Sequence, residues 1–151
     1  KIGRAEAQEM IDRYFEAYPG VRAFLDEAVR VAHERGYAET LYGRKRHIKE
    51  FRQKNRQLVA FGERTAMNHP MQGTAADIIK IAMVRVAARL AEEGLSAKLV
   101  LQIHDELDLE VPEAEVEAVS ALVRETMEGV AELRVPLLAE VSYGANWAEA
   151  K

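Results

Sequence analysis

Cysteine is absent from the 151-residue sequence, so the chain has neither a disulfide framework nor a thiolate metal site. No apolar run approaches the roughly 20 residues that a membrane-spanning helix needs. Residues 1–6 (KIGRAE) also lack the apolar region of a secretory signal. These absences predict a cytoplasmic protein with no membrane-embedded part. Repeats and low-complexity linkers are missing as well.

The residues that are present favour one globular domain or a large piece of one, because 48% of them are apolar. In the first half, apolar spacing predicts a helix closed by Pro19-Gly20, a second helix ending at Gly36, and a hairpin over 37–48. A helix over 56–68 is expected to bend or end at Pro70. Thr74 is expected to cap the next helix, 75–93, which Gly94 stops.

In the second half, residues 98–103 and 107–111 have the length and alternation of two strands. Joined by a three-residue polar tip, they predict an antiparallel hairpin. An amphipathic helix is expected after Pro112, with Val116, Val119, Val123 and Met127 on its inward face, and a last strand is expected over 136–143. This order of elements indicates an α+β fold with an antiparallel sheet.

The charge is unevenly distributed, although the formal net charge is only −4. Residues 44–56 contain seven Lys or Arg against one Glu, whereas residues 105–140 contain eleven Asp or Glu against Arg124 and Arg134. Such a division suits a protein that holds a polyanion in one place and cations in another. A solvated basic loop explains the basic segment equally well.

The hairpin tip places His104, Asp105 and Glu106 next to each other in the sequence. Carboxylates on rigid strands can hold Mg²⁺, which takes one or two of them together with substrate phosphates. In two-metal phosphoryl transfer such a tip supplies part of the site. The alternative is a polar turn with solvated side chains, and spacing alone favours that alternative.

A second set, Arg64, Asn68 and Gln72, recurs every four residues and therefore follows one side of a helix. Its long hydrogen-bonding side chains suit the DNA minor groove, where acceptors occur at every correct base pair. A solvated polar helix face is the alternative reading of this set when it is taken alone.

Together, residues 63–77 (ERTAMNHPMQGTAAD) and 102–107 (QIHDEL) resemble family A, the bacterial DNA polymerase I-type DNA polymerases. Residues 36–46 and the ending 143–147 (YGANW) match the same pattern, so the resemblance covers nearly the whole chain in order. In that family the first segment is the palm helix that touches the primer–template minor groove, and the second is the motif called C.

Carried over by position, the resemblance implies a catalytic pair and a DNA-contacting set. Asp105 would be a catalytic carboxylate that ligates magnesium, and Glu106 would be its supporting neighbour. The residues implied to hold the terminal base pairs of the duplex are His104, Arg64, Asn68 and Gln72. The residues implied to lie near DNA on the hairpin are Arg44, Lys45 and Arg46.

The resemblance also implies an organisation and an activity. Residues 1–56 would be the C-terminal part of the fingers, with two helices and a basic hairpin. Residues 57–151 would be the palm subdomain, with a palm-type antiparallel sheet packed on long helices. The complete enzyme would be a nucleotidyltransferase of DNA replication and repair that adds deoxynucleotides from triphosphates to a primer 3′-hydroxyl, using two Mg²⁺ ions.

Two parts of the family pattern are not found in this sequence: the second catalytic Asp of motif A, and the fingers helix that binds the incoming nucleotide. We therefore expect the chain to begin just after that helix, to need a complementary N-terminal polymerase segment or chain, and to be inactive alone. Two other readings stay open. One is a non-catalytic DNA-binding fragment, and the other is a metal-dependent nuclease or phosphatase built on Asp105, Glu106 and His104.

Overall fold

The computed structural model describes residues 2–150, which form two compact units with the division after Thr74. The elements up to that point are α1 (Arg4–Ala17), α2 (Pro19–Arg35), β1 (Tyr37–Glu39), β2 (Lys45–His47), a 3-10 turn (Lys49–Arg52), α3 (Arg56–Asn68) and a π-helix (His69–Gly73). The following elements are α4 (Thr74–Glu92), β3 (Lys98–Ile103), β4 (Glu106–Glu110), a 3-10 turn (Glu113–Glu115) and α5 (Val116–Glu128).

These elements confirm the α+β class, with two small antiparallel hairpins instead of one larger sheet among the described residues. The boundary expected between fingers and palm, at residues 56 and 57, stays a prediction. Within residues 2–150 no helix is long and apolar enough to cross a bilayer.

The first two helices are separated by Tyr18 alone. Pro19 closes α1, as predicted, and also occupies the first turn of α2, where its missing N–H costs nothing. Gly36 ends α2 in the left-handed conformation, with φ 76°, and its N–H bonds to Ala32 O at 2.8 Å. On the exposed side of α2, the Arg30 guanidinium lowers the pKa of Glu27 by direct hydrogen bonding.

The core of the first unit is made of small and aliphatic side chains. Ala32, Ala38, Ile48 and Ala66 are buried there, and Phe51 packs against them. Because alanines form much of this contact, α2, α3 and the β1–β2 hairpin can approach one another closely. The predicted hairpin over 37–48 is confirmed, and it pairs Tyr37 with His47.

The α-helix over 56–68 is confirmed as α3, and its α-helical pattern is interrupted around Pro70, as the sequence predicted. A π-helical segment, His69–Gly73, continues α3 directly into α4. The wider turn accommodates a residue that lacks the N–H needed for the α-helical ladder. Thr74 is correspondingly not an N-cap, since its backbone is helical (φ −65°, ψ −43°), and its Oγ1 accepts a hydrogen bond from Leu41 N at 3.0 Å.

Gly73, the last residue of the π-segment, is buried beneath the β1–β2 hairpin. A Cβ atom at this position would lie 2.6 Å from Thr40 Cγ2 and 3.0 Å from His69 Cε1. Thr40 is itself buried and β-branched, so it cannot turn aside easily. The absence of a side chain at position 73 is therefore what lets the hairpin sit against the helix.

The second unit is built around the packing of α4 against α5. The buried side chains there are Val86, Leu90, Ala97, Val119, Leu122 and Val123, and Leu99 and Leu109 from the hairpin pack against them. The predicted inward face of α5 is thus confirmed at Val119 and Val123. Gly94 (φ 66°) ends α4 as predicted, and the bond from Leu95 N to Leu90 O completes a Schellman motif.

Arg89 joins α4 to α5 through polar contacts. Its Nη1 donates to Glu125 Oε2 at 2.8 Å and to Thr126 Oγ1 at 3.1 Å, while Nη2 donates to Glu93 at 2.8 Å. The hydrogen bond to Glu125 is the largest of the contributions that raise the pKa of Arg89. These contacts add to the apolar packing that holds α5 against α4.

The predicted last strand over 136–143 is wrong. The segment alternates as a strand would, with Leu137, Ala139 and Val141 half-buried and Leu138 exposed, yet it pairs with no strand among residues 2–150. Ala139 N donates instead to Glu128 Oε1 at 3.1 Å. Alternation reports which side chains face the protein, whereas a strand also requires a neighbouring backbone.

We expect Gly73→Ala to lower the free energy of unfolding by about 1–3 kcal/mol, because the added methyl overpacks the contact with Thr40. The midpoint of urea denaturation measures this change. Gly20→Ala is the matched control, since a Cβ at that helical position meets nothing within 4 Å, and it should raise stability by about 0.5–1 kcal/mol. Equal effects of the two substitutions would contradict the close approach.

Candidate functional site

The β3–β4 hairpin ends in a two-residue turn, one residue shorter than predicted. Ile103 pairs with Glu106, so only His104 and Asp105 make the turn. His104 is the only non-glycine residue with positive φ (53°) in the described chain. Gln102 Nε2 donates to His104 O at 2.5 Å and holds the turn from the β3 side, a role that the sequence did not indicate.

The structure brings the three predicted tip residues together, and all of them are exposed. His104 and Asp105 form the turn and Glu106 begins β4, so the three side chains extend from one short stretch of backbone between paired strands. Positive φ in a non-glycine residue costs of order 1 kcal/mol or more, and such strain clusters at functional sites. The tip is therefore exposed, is held between two paired strands and contains one residue at positive φ.

A β-bulge in β3 lies behind this tip. Leu99 pairs with Leu109 and Leu101 with Asp108, so Val100 is the extra residue. A bulge bends and twists a hairpin locally, and it changes which face the following residues occupy. Val100 and Leu101, at the bulge, are each about half exposed on the hairpin surface.

The donor chemistry of the tip fits Mg²⁺ as part of a site. Two neighbouring carboxylates, Asp105 and Glu106, are hard oxygen ligands of the kind that this ion prefers. Within residues 2–150, however, no group of three or more His, Cys, Asp or Glu side chains could hold a metal ion. The tip alone therefore supplies an incomplete ligand set, which phosphate oxygens, water or further protein ligands would have to complete.

Glu106 has a partner that the sequence did not predict. The indole Nε1 of Trp147 donates a hydrogen bond to Glu106 Oε1 at 3.2 Å, across 41 positions of sequence. The available signals were that this tryptophan is the single one in the chain and that it lies in the ending 143–147 (YGANW), which matches the family pattern.

In the first unit, the polar row Arg64, Asn68 and Gln72 is exposed along α3 and the π-segment. In a continuous α-helix, residue i+8 is rotated by about 80° from residue i. The π-segment winds more slowly, with i→i+5 hydrogen bonds, and so offsets this drift between Arg64 and Gln72. The π-segment therefore brings Gln72 closer to the line of Arg64 and Asn68 than a continuous α-helix would.

The basic hairpin of the first unit has two kinds of cation. Arg44 is partly committed to the fold, since its Nη2 donates to Gly73 O at 2.7 Å, and its carbonyl contacts His69 Nε2 at 3.3 Å. Lys45 Nζ lies 4.7 Å from the Tyr37 ring centroid. Arg46 is exposed, and no polar contact of its side chain is found within residues 2–150. Arg46 is therefore the hairpin residue most available to a ligand.

The model of DNA polymerase family A matches residues 1–149 of this sequence. DNA polymerase I from Caldicellulosiruptor bescii is 48% identical over 151 residues, and that from Geobacillus stearothermophilus is 49% identical over 150 residues. The enzyme from Pseudomonas aeruginosa is 51% identical over 149 residues. These alignments cover 99–100% of this chain but only 16–18% of the relatives.

The fold comparison agrees with the sequence comparison. The POL domain of Pol1 from M. smegmatis, in complex with DNA primer-template and dNTP, superposes with a TM-score of 0.95 at 42% identity. The match covers 99% of this chain and 26% of that domain chain. The chain belongs to DNA polymerase family A, as the resemblance of its motifs predicted.

We expect the turn conformation to control how residue 104 affects stability. His104→Gly should raise the free energy of unfolding by up to about 1 kcal/mol, because glycine adopts positive φ without steric cost. His104→Val should lower it by at least as much, because a β-branched residue is an outlier there. Urea denaturation of both variants checks the order, and a valine variant as stable as the glycine variant would contradict it.

Proposed function

We propose that this chain is the motif C-bearing portion of a DNA-directed DNA polymerase, which adds deoxynucleotides to a primer 3′-hydroxyl. The observation that carries the proposal is a pair of adjacent exposed carboxylates at the hairpin tip, Asp105 in the turn and Glu106 at the start of β4, in a chain of family A. A polar two-residue turn without function also accounts for the exposure of these side chains and for the positive φ of His104, so family membership is what favours the polymerase reading.

In this proposal Asp105 contributes a ligand to magnesium, and Glu106 supports the charge of the same site. Bound Mg²⁺ would neutralise charge on the triphosphate and favour in-line displacement at the phosphorus atom. The part of this chain is to hold the two carboxylates in fixed positions. A tight turn between paired strands suits that role, because catalytic groups on rigid elements need little reordering.

The exposed row of the first unit would contact the primer–template duplex. Arg64, Asn68 and Gln72 supply hydrogen-bond donors, and the minor groove presents acceptors at every Watson–Crick pair. His104 is assigned to the same duplex by its place in the motif. Arg46 would bind a phosphate, and Lys45 and Arg44 would add positive charge nearby, with Arg44 tied to Gly73.

A complementary N-terminal polymerase segment would complete the site. The chain spans about one-sixth of the length of the curated relatives it matches. Its tip offers an incomplete ligand set, and neither β3 nor β4 pairs with any further strand in the described residues. Val100 and Leu101 leave apolar surface on this hairpin, which suits a covering segment. We propose that the isolated chain is inactive for this reason.

We expect primer extension with Mg²⁺ and deoxynucleoside triphosphates only when this chain is combined with a family A segment that supplies motif A and the nucleotide-binding helix. Asp105→Ala should reduce the rate by at least about 100-fold, because loss of a metal-ligating carboxylate removes several kcal/mol of stabilisation. A primer-extension assay on the mixture and on the chain alone measures both effects.

The matched control is Glu110→Ala, which removes an exposed carboxylate from the same strand, four residues beyond Glu106. Its rate should stay within about twofold of the unsubstituted protein. Steady extension by the pure chain would show that the missing segment is unnecessary. Extension that survives Asp105→Ala would show that this carboxylate is not part of the reaction.

A non-catalytic DNA-binding fragment is the second candidate function. It is favoured by the exposed polar row on α3 and by Arg46, whose charge has no partner within the described chain. This reading needs neither a metal ion nor the hairpin tip. It differs from the first in predicting that the loss of Asp105 changes nothing that can be measured.

We expect the chain to bind duplex DNA with an affinity that falls steeply as salt rises, because bound phosphates displace counterions. Arg46→Ala should lower the magnitude of the log–log salt slope by about one. Fluorescence anisotropy at several salt concentrations measures it. Arg30→Ala is the control, since Glu27 and Glu34 already pair with that guanidinium. Salt-independent binding, or equal effects of both substitutions, would contradict the assignment.

A further inference from the structure

The tail after α5 carries the motif whose role the proposed function leaves open, residues 143–147 (YGANW). We propose that Trp147 is a positioning residue for Glu106, so that the C-terminal tail fixes one of the two tip carboxylates. This inference rests on the proposed polymerase function and deepens it. It assigns to the tail a part in the geometry of the site.

The contact itself joins a neutral donor to a carboxylate. Trp147 Nε1 lies 3.2 Å from Glu106 Oε1, and 52% of the tryptophan surface is exposed. An exposed glutamate at the start of a strand samples several rotamers, and ordering such a side chain costs conformational entropy. The hydrogen bond selects one carboxylate position beforehand. Because the indole is uncharged, the negative charge of Glu106 is kept.

A closed network in the tail holds the tryptophan in place. Asn146 Nδ2 donates to Glu149 Oε1 at 2.5 Å, and Glu149 N donates back to Asn146 Oδ1 at 3.3 Å. Ala145 N donates to Glu149 Oε2 at 3.3 Å. Both carboxylate oxygens of Glu149 thus accept hydrogen bonds from residues 145 and 146, so the chain on the two sides of Trp147 is tied together. The arrangement is reciprocal in the way of a helix capping box, and it makes residues 145–149 one folded turn.

Gly144 allows this turn to fold back on the chain. A Cβ atom there would lie 2.7 Å from Glu149 Cβ, 2.8 Å from its carbonyl carbon and 2.9 Å from Ala150 N. Two of these atoms belong to the backbone, so a side chain at position 144 would displace the turn. The indole N–H is therefore placed beside Glu106 by the tight turn, which Gly144 permits and the Asn146–Glu149 pair stabilises.

The effect on the reaction follows from what the contact supplies. Trp147 touches neither the primer nor the nucleotide in this assignment, and it acts only through Glu106. It should therefore influence the rate of the chemical step and leave substrate binding unchanged. Its contribution should also vanish once Glu106 can no longer serve the site, since two residues that act through one group are not additive.

The first test uses the fluorescence of this chain, in which Trp147 is the only tryptophan. Glu106→Leu should change the emission maximum of Trp147 and raise its acrylamide quenching constant about twofold. Gly144→Ala should produce the same change by displacing the turn. Glu110→Leu, the same substitution farther along β4, should leave both quantities unaltered. Emission that is indifferent to Glu106→Leu would overturn the inference.

The second test uses primer extension by this chain combined with the missing polymerase segment. Trp147→Phe should lower kcat about fivefold, with unchanged KM for the nucleotide and unchanged DNA affinity. Tyr143→Phe removes one polar group from the same tail and should have no effect, since no hydrogen bond of its hydroxyl is found in the described chain. In the Glu106→Ala background, which removes the acceptor, Trp147→Phe should cause no additional loss.

The outcomes separate the two ideas. Additive losses in the double variant, or an effect of Trp147→Phe on KM alone, would overturn the positioning role and leave the polymerase proposal intact. Failure of the unsubstituted combination to extend a primer would overturn the proposed function and this inference with it. Coupled losses in kcat together with the fluorescence change would establish the tail as part of the site.

Discussion

The backbone pairing of β3 with β4 is the interaction on which the candidate catalytic tip depends. It sets Ile103 opposite Glu106 and leaves two residues to reverse the chain, so His104 must take a positive φ. That pairing is anchored by Leu99 and Leu109, which pack on the core formed by α4 and α5. A register change of one residue would move every side chain of the tip to the opposite face. The position of two carboxylates is therefore tied to the packing of a hydrophobic core.

The first unit depends in a comparable way on close backbone approach. Gly73 lets the basic hairpin lie on the π-segment, where Arg44 and Thr74 supply the connecting hydrogen bonds. The same π-segment adjusts the line of polar side chains that runs to Gln72. The π-segment thus accommodates a proline in the helix and also sets the position of Gln72 in the polar row, and π-segments in α-helices often lie at functional sites.

The second unit has features that a further segment of chain would complete. The hairpin presents two carboxylates without a third ligand group and, among residues 2–150, without a further strand. Within the part of the chain that the structure describes, segment 136–143 alternates as a strand but pairs with no other strand. These features are consistent with a chain that spans about one-sixth of its relatives. Membership of family A is established, whereas the chemistry of the complete enzyme is our proposal for how these features are used.

The sequence by itself determined the features that depend on local pattern: the helices and their glycine ends, both hairpins, the inward face of α5, and the family. Apolar periodicity and turn residues act within a few positions, so they can be read directly. Tertiary structure decided the rest. The π-segment at Pro70, the unpaired segment 136–143 and the contact of Trp147 with Glu106 all depend on which groups meet across tens of residues. Local sequence patterns do not determine such long-range contacts, because these contacts depend on how the whole unit packs.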